Sequence, residues 1–140
     1  MITANPYLNF NGNCEEAFNF YKSIFGGEFI QISRFKDVPA EHSMPETEAD
    51  RILHVVLPLG AGTMLMGSDI PSAFPKAVMG TNCYISLNTG TEDEATQIFN
   101  SIVSGGQVQM PLDKTFWGSY FGMCVDKFGV QWMVSYDYKS

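Results

Sequence analysis

Tyr7-Leu8-Asn9-Phe10-Asn11 returns later in the chain as Tyr84-Ile85-Ser86-Leu87-Asn88, and Gly12 returns at Gly90 after a one-residue insertion. Downstream, Glu16-Ala17-Phe18-Asn19-Phe20-Tyr21-Lys22-Ser23-Ile24 is matched by Glu94-Ala95-Thr96-Gln97-Ile98-Phe99-Asn100-Ser101-Ile102. Gly26-Gly27-Glu28-Phe29 is then matched by Gly105-Gly106-Gln107-Val108. So many agreements in one order define an internal duplication, and each copy should be one supersecondary unit.

Apolar periodicity gives the same elements in both copies. Residues 14–25 set Ala17, Phe20, Tyr21 and Ile24 on one helical face, and residues 92–103 do so with Ala95, Ile98, Phe99 and Ile102. A glycine pair stops each helix, and Asn13 and Thr91 are placed to cap the first-turn amides. Strand-like runs occupy 5–10, 28–36, 51–59 and 62–67 in the first half, and 81–88, 106–112, 119–126 and 130–136 in the second. Each half therefore reads β-α-β-β-β. The fold class is α+β, with two tandem βαβββ modules in one domain: module 1 at about 1–68, module 2 at about 80–140. The linker at about 69–79 carries Pro71 and Pro75 as breakers. The polar stretch 37–50 is too long for a turn and reads equally as a lid or a passive surface loop.

Composition narrows the function. Of 140 residues, 45% are hydrophobic and 16% charged, which suits a packed domain rather than disorder. Eleven Phe and eight Met suit a large core, and equally a pocket for flat or apolar ligands. The net charge of −7 opposes a phosphate backbone, and there is no basic run for anionic lipid. Nucleic acid and membrane are thereby set aside as partners. The N-terminus shows no signal-peptide pattern, and no apolar stretch reaches about 18 residues. Cys14, Cys83 and Cys124 are odd in number and widely spaced, which reads as reduced structural thiols in a cytoplasmic protein.

Successive strand side chains point to opposite faces. Leu8, Phe10, Ile85 and Leu87 should pack under the helices. Asn5, Tyr7 and Asn9, and in the second copy Asn82, Tyr84 and Ser86, share the other face. A mixed polar and aromatic face of this kind suits a ligand cleft, with a small molecule held between the two units; the alternative is a face turned to solvent or a partner subunit.

Two segments support a family comparison. The run from Pro6-Tyr7-Leu8-Asn9-Phe10-Asn11-Gly12-Asn13-Cys14-Glu15-Glu16-Ala17 to Phe20-Tyr21 resembles the start of the PhnB-like branch of the vicinal-oxygen-chelate superfamily. So does Thr115-Phe116-Trp117-Gly118-Ser119-Tyr120-Phe121-Gly122, with Asp126-Lys127-Phe128-Gly129-Val130-Gln131-Trp132 after it. The superfamily includes glyoxalase I, extradiol dioxygenases, and fosfomycin- and bleomycin-resistance proteins. The resemblance implies cupped mixed sheets with helices on the outer face, and it spans essentially the whole chain.

It also implies where a divalent metal would sit in catalytic members: near Asn5, Asn82, Met66 and Met133. Neither these residues nor their neighbours Pro6, Leu65, Gly67, Cys83, Trp132 and Val134 supply the oxygen and imidazole donors such a site needs. No metal and no other cofactor is therefore expected. Relatives often carry a histidine at His54, which could orient a ligand or act as acid or base; a His hydrogen-bonded within the sheet is the other reading. His42, beside Glu41, Glu46 and Glu48, reads as solvated. Trp117, next to Phe116, is a candidate pocket wall or dimer contact, whereas Trp132 reads as core and Asp126 as a turn residue. Ser119, Phe121 and Met123 share one strand face, with Phe121 the repeat partner of His54.

The candidate ligand-binding set is Tyr7, Asn9, His54, Met66, Tyr84, Ser86, Trp117, Ser119, Phe121, Met123 and Met133. The function expected is a metal-free small-molecule-binding protein of the glyoxalase/bleomycin-resistance type, acting as a homodimer on an organic ligand. The alternative is an enzyme of the superfamily with a rearranged metal site that uses His54. The methyltransferase label common among PhnB-like proteins fits poorly, because neither a glycine-rich nucleotide loop nor parallel βαβ units are present.

Overall fold

The computed structural model describes residues 1–39, 45–60 and 62–138. The chain divides into two compact units, Met1–Val78 and Met79–Ser140. The first contains β1 (Tyr7–Phe10), α1 (Cys14–Phe25), β2 (Gln31–Arg34), β3 (Ile52–Leu59) and β4 (Thr63–Asp69). The second contains β5 (Ile85–Asn88), α2 (Glu92–Ile102), β6 (Gln107–Lys114), β7 (Ser119–Val125) and β8 (Gln131–Asp137). The sheets run in the orders β1-β4-β3-β2 and β5-β8-β7-β6. In each, only the first pair is parallel. This is the two-module α+β arrangement read from the duplication.

Each helix covers one face of its sheet. The buried stripe of α1 is Cys14, Ala17, Phe18 and Tyr21. It is rotated from the expected Ala17, Phe20, Tyr21 and Ile24, and Phe20 and Ile24 are only half-buried. Phe18 fixes that rotation. Its ring meets Phe10 edge-on at 6.2 Å and Tyr21 at 5.5 Å, and it lies over Gly67 of β4. A Cβ on Gly67 would stand 2.6 Å from the Phe18 ring, so only glycine lets the helix come this close. On α2, Ala95, Phe99 and Ile102 are buried, and Phe99 lies over Gly122 of β7 in the same manner.

The helix starts differ. Thr91 caps α2 as expected, its hydroxyl accepting from the Glu94 amide at 3.0 Å. Asn13 makes no such bond. The carboxylate of Asp69 replaces it: Oδ1 accepts from the Gly12 and Cys14 amides at 2.8 and 3.0 Å, and Oδ2 from the Ile52 amide at 2.9 Å. Asp69 is also the buried last residue of β4, so that strand runs two residues past the expected end. The region read as linker therefore begins with a structural carboxylate.

Asp126 has the equivalent task in the β7–β8 turn. It accepts from the Phe128 and Val130 amides and from the indole of the fully buried Trp132. Cys14 and Cys124 are buried free thiols, and burial pushes both up, Cys124 to about 12. Cys83, by contrast, is exposed. A short 3-10 turn at Phe35–Asp37 leads into the 37–50 stretch, and another spans Glu46–Glu48 within it. Glu48 is buried against Ser72 and Arg51, not solvated. His42 lies outside the described residues.

Candidate functional site

Because the helix takes one face of each sheet, the other face is where side chains can meet a ligand. In the first unit, strand register lays this face out in rows. Tyr7 pairs with Met66, Met66 with Val56, and Val56 with Gln31. Asn9 pairs with Ser68, and Ser33 with His54, in the next row. The Ser68 hydroxyl donates to Asn9 Oδ1 at 3.3 Å.

Tyr7 and His54 join the two rows. Their rings stack with centroids 5.6 Å apart and planes 16° from parallel, and the Tyr7 hydroxyl hydrogen-bonds His54 Nδ1 at 3.2 Å. Tyr7 is nonetheless 45% exposed. The pair is thus a fixed, proton-carrying couple open to an incoming molecule, with Val56 and Met66 as apolar floor beside it. Four of the residues selected from sequence, Tyr7, Asn9, His54 and Met66, are brought together here.

The second unit has the same rows with different chemistry. Ile85 pairs with Trp132, which sets Tyr84 beside Gln131. The Tyr84 hydroxyl donates to Gln109 Oε1 at 2.8 Å, Gln109 Nε2 to Gln131 Oε1 at 3.2 Å, and Gln131 Nε2 to the Cys83 carbonyl at 2.9 Å. The next row is Ser86, Met133, Met123 and Met110. Tyr84, Ser86, Met123 and Met133 therefore share this face. With Tyr7 matched to Tyr84, the counterpart of Met66 is Gln131 rather than Met133, and that of His54 is Met123 rather than Phe121. The cause is hairpin length: Val56 pairs with Met66 ten positions on, whereas Val125 pairs with Gln131 six positions on. Sequence reasoning missed Gln109 and Gln131, although Gln131 stands inside the quoted motif.

Trp117, Phe121 and Ser119 belong to a third setting. Phe116 is 97% exposed and Trp117 56%. Trp117 meets Phe116 at 5.1 Å and Phe121 at 5.8 Å, both edge-on. Ser119 is only 2% exposed; its hydroxyl lies 3.1 Å from Thr115 Oγ1, and its amide also donates to that oxygen. It closes the Thr115–Ser119 turn and presents nothing to a ligand, which corrects its place in the candidate set.

The donors on these faces do not suit a Lewis-acid metal. The Asn5 amide oxygen accepts from the Met64 backbone at 2.9 Å and so belongs to the sheet edge. The rows add one imidazole to amides, hydroxyls and thioethers, whereas hard divalent ions take several oxygen or imidazole donors together. Among the described residues no group of three or more His, Cys, Asp or Glu is placed to hold a metal. No helix among the described residues is long and apolar enough to cross a membrane.

Comparison with known proteins follows the same lines. Residues 3–135 match the family described as 3-demethylubiquinone-9 3-methyltransferase. The solved structure of protein PA1353 from Pseudomonas aeruginosa is 42% identical, with a TM-score of 0.87, covering 99% of this chain and 100% of that one. A putative 3-demethylubiquinone-9 3-methyltransferase, PhnB protein, from Bacillus cereus is 26% identical with a TM-score of 0.76, over 96% and 99% of the two chains. At the level of fold alone, the fosfomycin resistance protein FosX from Listeria monocytogenes, complexed with Mn(II) and sulfate, aligns over 99% and 95% with a TM-score of 0.64 and 13% identity.

Proposed function

We propose that this chain, which belongs to the 3-demethylubiquinone-9 3-methyltransferase family as a PhnB-like member of the vicinal-oxygen-chelate superfamily, binds a planar, moderately polar organic molecule without a metal ion. One observation carries the reading. Tyr7 and His54 form a stacked, hydrogen-bonded pair on an open sheet face, with polar Asn9 and Ser68 on one side and apolar Val56 and Met66 on the other. A ring can lie on the apolar floor while the imidazole, phenol and amide fix its orientation. In the second unit Tyr84, Ser86, Met123 and Met133 make a softer, thioether-rich face of their own.

The test uses 4-hydroxybenzamide, a neutral planar probe with a donor and an acceptor at opposite ends. The chain has two histidines, so its imidazole NMR spectrum is simple, and the His54→Ala variant assigns the His54 signal. Adding the probe should move that signal saturably. A His54 signal that stays fixed while the probe binds would remove the pair from the site.

The second reading is catalysis, with His54 as acid or base; the Tyr7 hydrogen bond favours it, because it holds the imidazole in one place on the open face. The metal-dependent form of that reading is separable. An ion bound only to the folded chain at 100 times its dissociation constant stabilises by about 2.7 kcal/mol. We expect no thermal shift of that size from manganese, nickel or zinc. Methyl transfer is less well supported, since each sheet has a single parallel pair and neither offers the nucleotide-binding crossover of doubly wound methyl-donor sites. The reading includes a cytoplasmic homodimer, for which exposed Phe116 and Trp117 are suitable interface anchors.

A further inference from the structure

Apart from the Tyr7–His54 face, the first unit contains a concavity, and the residues that build it come largely from the segment read as linker. Its volume is about 120 Å³, and its walls include Arg51, Ile70, Pro71, Phe74 and Lys76. These walls are held in place. The Asn11 side chain pairs with the Ala77 backbone through two hydrogen bonds of 2.9 Å, as a strand neighbour would. The Ser72 amide and hydroxyl both donate to Glu48, and the Phe74 amide donates to the Pro71 carbonyl at 2.9 Å.

The charges are arranged asymmetrically. Arg51 Nη1 donates to the Ile70 carbonyl at 3.1 Å and lies 3.5 Å from Glu48 Oε1. Glu48 is itself occupied by Ser72, whose hydrogen bonds hold its carboxyl below the usual range. The Arg51 guanidinium lies against Gly12, and among the described residues its hydrogen bond to Ile70 and its ion pair with Glu48 both use Nη1. The ring of Phe74 is 61% exposed, and Lys76 is exposed without an ion-pair partner among the described residues. In a chain of net charge −7, this concavity brings two cationic side chains, Arg51 and Lys76, to one apolar wall.

We propose that this concavity binds a small organic carboxylate, the carboxylate between Arg51 Nη2 and Lys76 Nζ and its apolar body against Phe74, Pro71 and Ile70. A guanidinium edge matches a carboxylate in plane, and a lysine adds a point charge. The apolar wall selects an organic anion over inorganic phosphate. The space, about four water volumes, admits the charged end of the ligand and part of a ring.

The test is calorimetric titration of benzoate into the full chain and into its His54→Ala variant, with neutral benzamide and inorganic phosphate titrated as controls into the variant, where the Tyr7–His54 face no longer competes. Benzoate should bind saturably, with benzamide and phosphate at least tenfold weaker. Lys76→Gln, an exposed position, should weaken benzoate at least fivefold, and Phe74→Ala should weaken it while leaving its salt dependence in place. His54→Ala should leave benzoate affinity within twofold, which separates this site from the Tyr7–His54 face. Equal binding of benzamide or phosphate, indifference to Lys76→Gln, loss on His54→Ala, or no saturable binding would each overturn the proposal.

Discussion

The two units share a strand order, a register and a helix whose phenylalanine rests on a sheet glycine, yet their open faces differ. In the first, Tyr7 meets an imidazole; in the second, Tyr84 meets Gln109 and heads a ladder of amides that ends on a backbone carbonyl. One face sets an imidazole beside its phenol, and the other sets side-chain amides there. Duplication preserved what the helix face needs, because packing against Phe18 and Phe99 tolerates little change. It left the open face free to diverge.

The supports of the two helices break this symmetry most strongly. Asp69→Ala would strip the acceptor from three backbone amides, two of them buried, and should cost about 3–5 kcal/mol by denaturant unfolding. A loss below about 1 kcal/mol would mean that water replaces the carboxylate. At the start of α2 only one hydroxyl is at stake, so Thr91→Ala should cost about 1 kcal/mol. Asn13→Ala, at the equivalent place on α1, should cost less than about 0.5 kcal/mol. Equal losses at Thr91 and Asn13 would restore the symmetry that the structure denies.

A smaller effect belongs to the first unit alone. Arg34 grips both oxygens of Glu15, at 2.8 and 2.6 Å, and these hydrogen bonds hold the Glu15 carboxyl below its ordinary value. A lowered carboxyl stabilises the fold above its unfolded pKa and ceases to do so as pH falls through the folded one. The contribution should therefore be complete above about pH 5 and vanish in the acid range below the usual glutamate pKa. Half-exposure of Glu15 limits it to under about 1 kcal/mol. Glu15→Gln should remove that part of the acid dependence; an unchanged pH profile would show the pair to be energetically silent.

These contrasts also mark where sequence was informative. The repeat and its periodicities give element order, both helices and the alternation of faces, since those follow from local spacing alone. Asp69 escaped because a carboxylate ending an apolar strand looks like the first residue of a linker, and only the approach of Gly12, Cys14 and Ile52 reveals its task. Gln131 escaped because the row it occupies depends on the β7–β8 hairpin being shorter than β3–β4. Ser119 was wrongly turned toward the ligand face, since strand alternation cannot see that Thr115 folds back over it. The concavity at Arg51 and Lys76 was hidden for a similar reason: its wall is a loop fastened by Asn11 from a distant strand end.

The central claim is that the first unit's face carries the polar recognition and that the matching row of the second does not. Calorimetric titration of 4-hydroxybenzamide into the unmodified chain, His54→Ala and Met123→Ala tests it directly, because His54 and Met123 occupy equivalent rows. Binding should weaken at least tenfold in His54→Ala, about 1.4 kcal/mol or more, and less than twofold in Met123→Ala. Equal losses in the two variants, or a greater loss at Met123, would contradict the account.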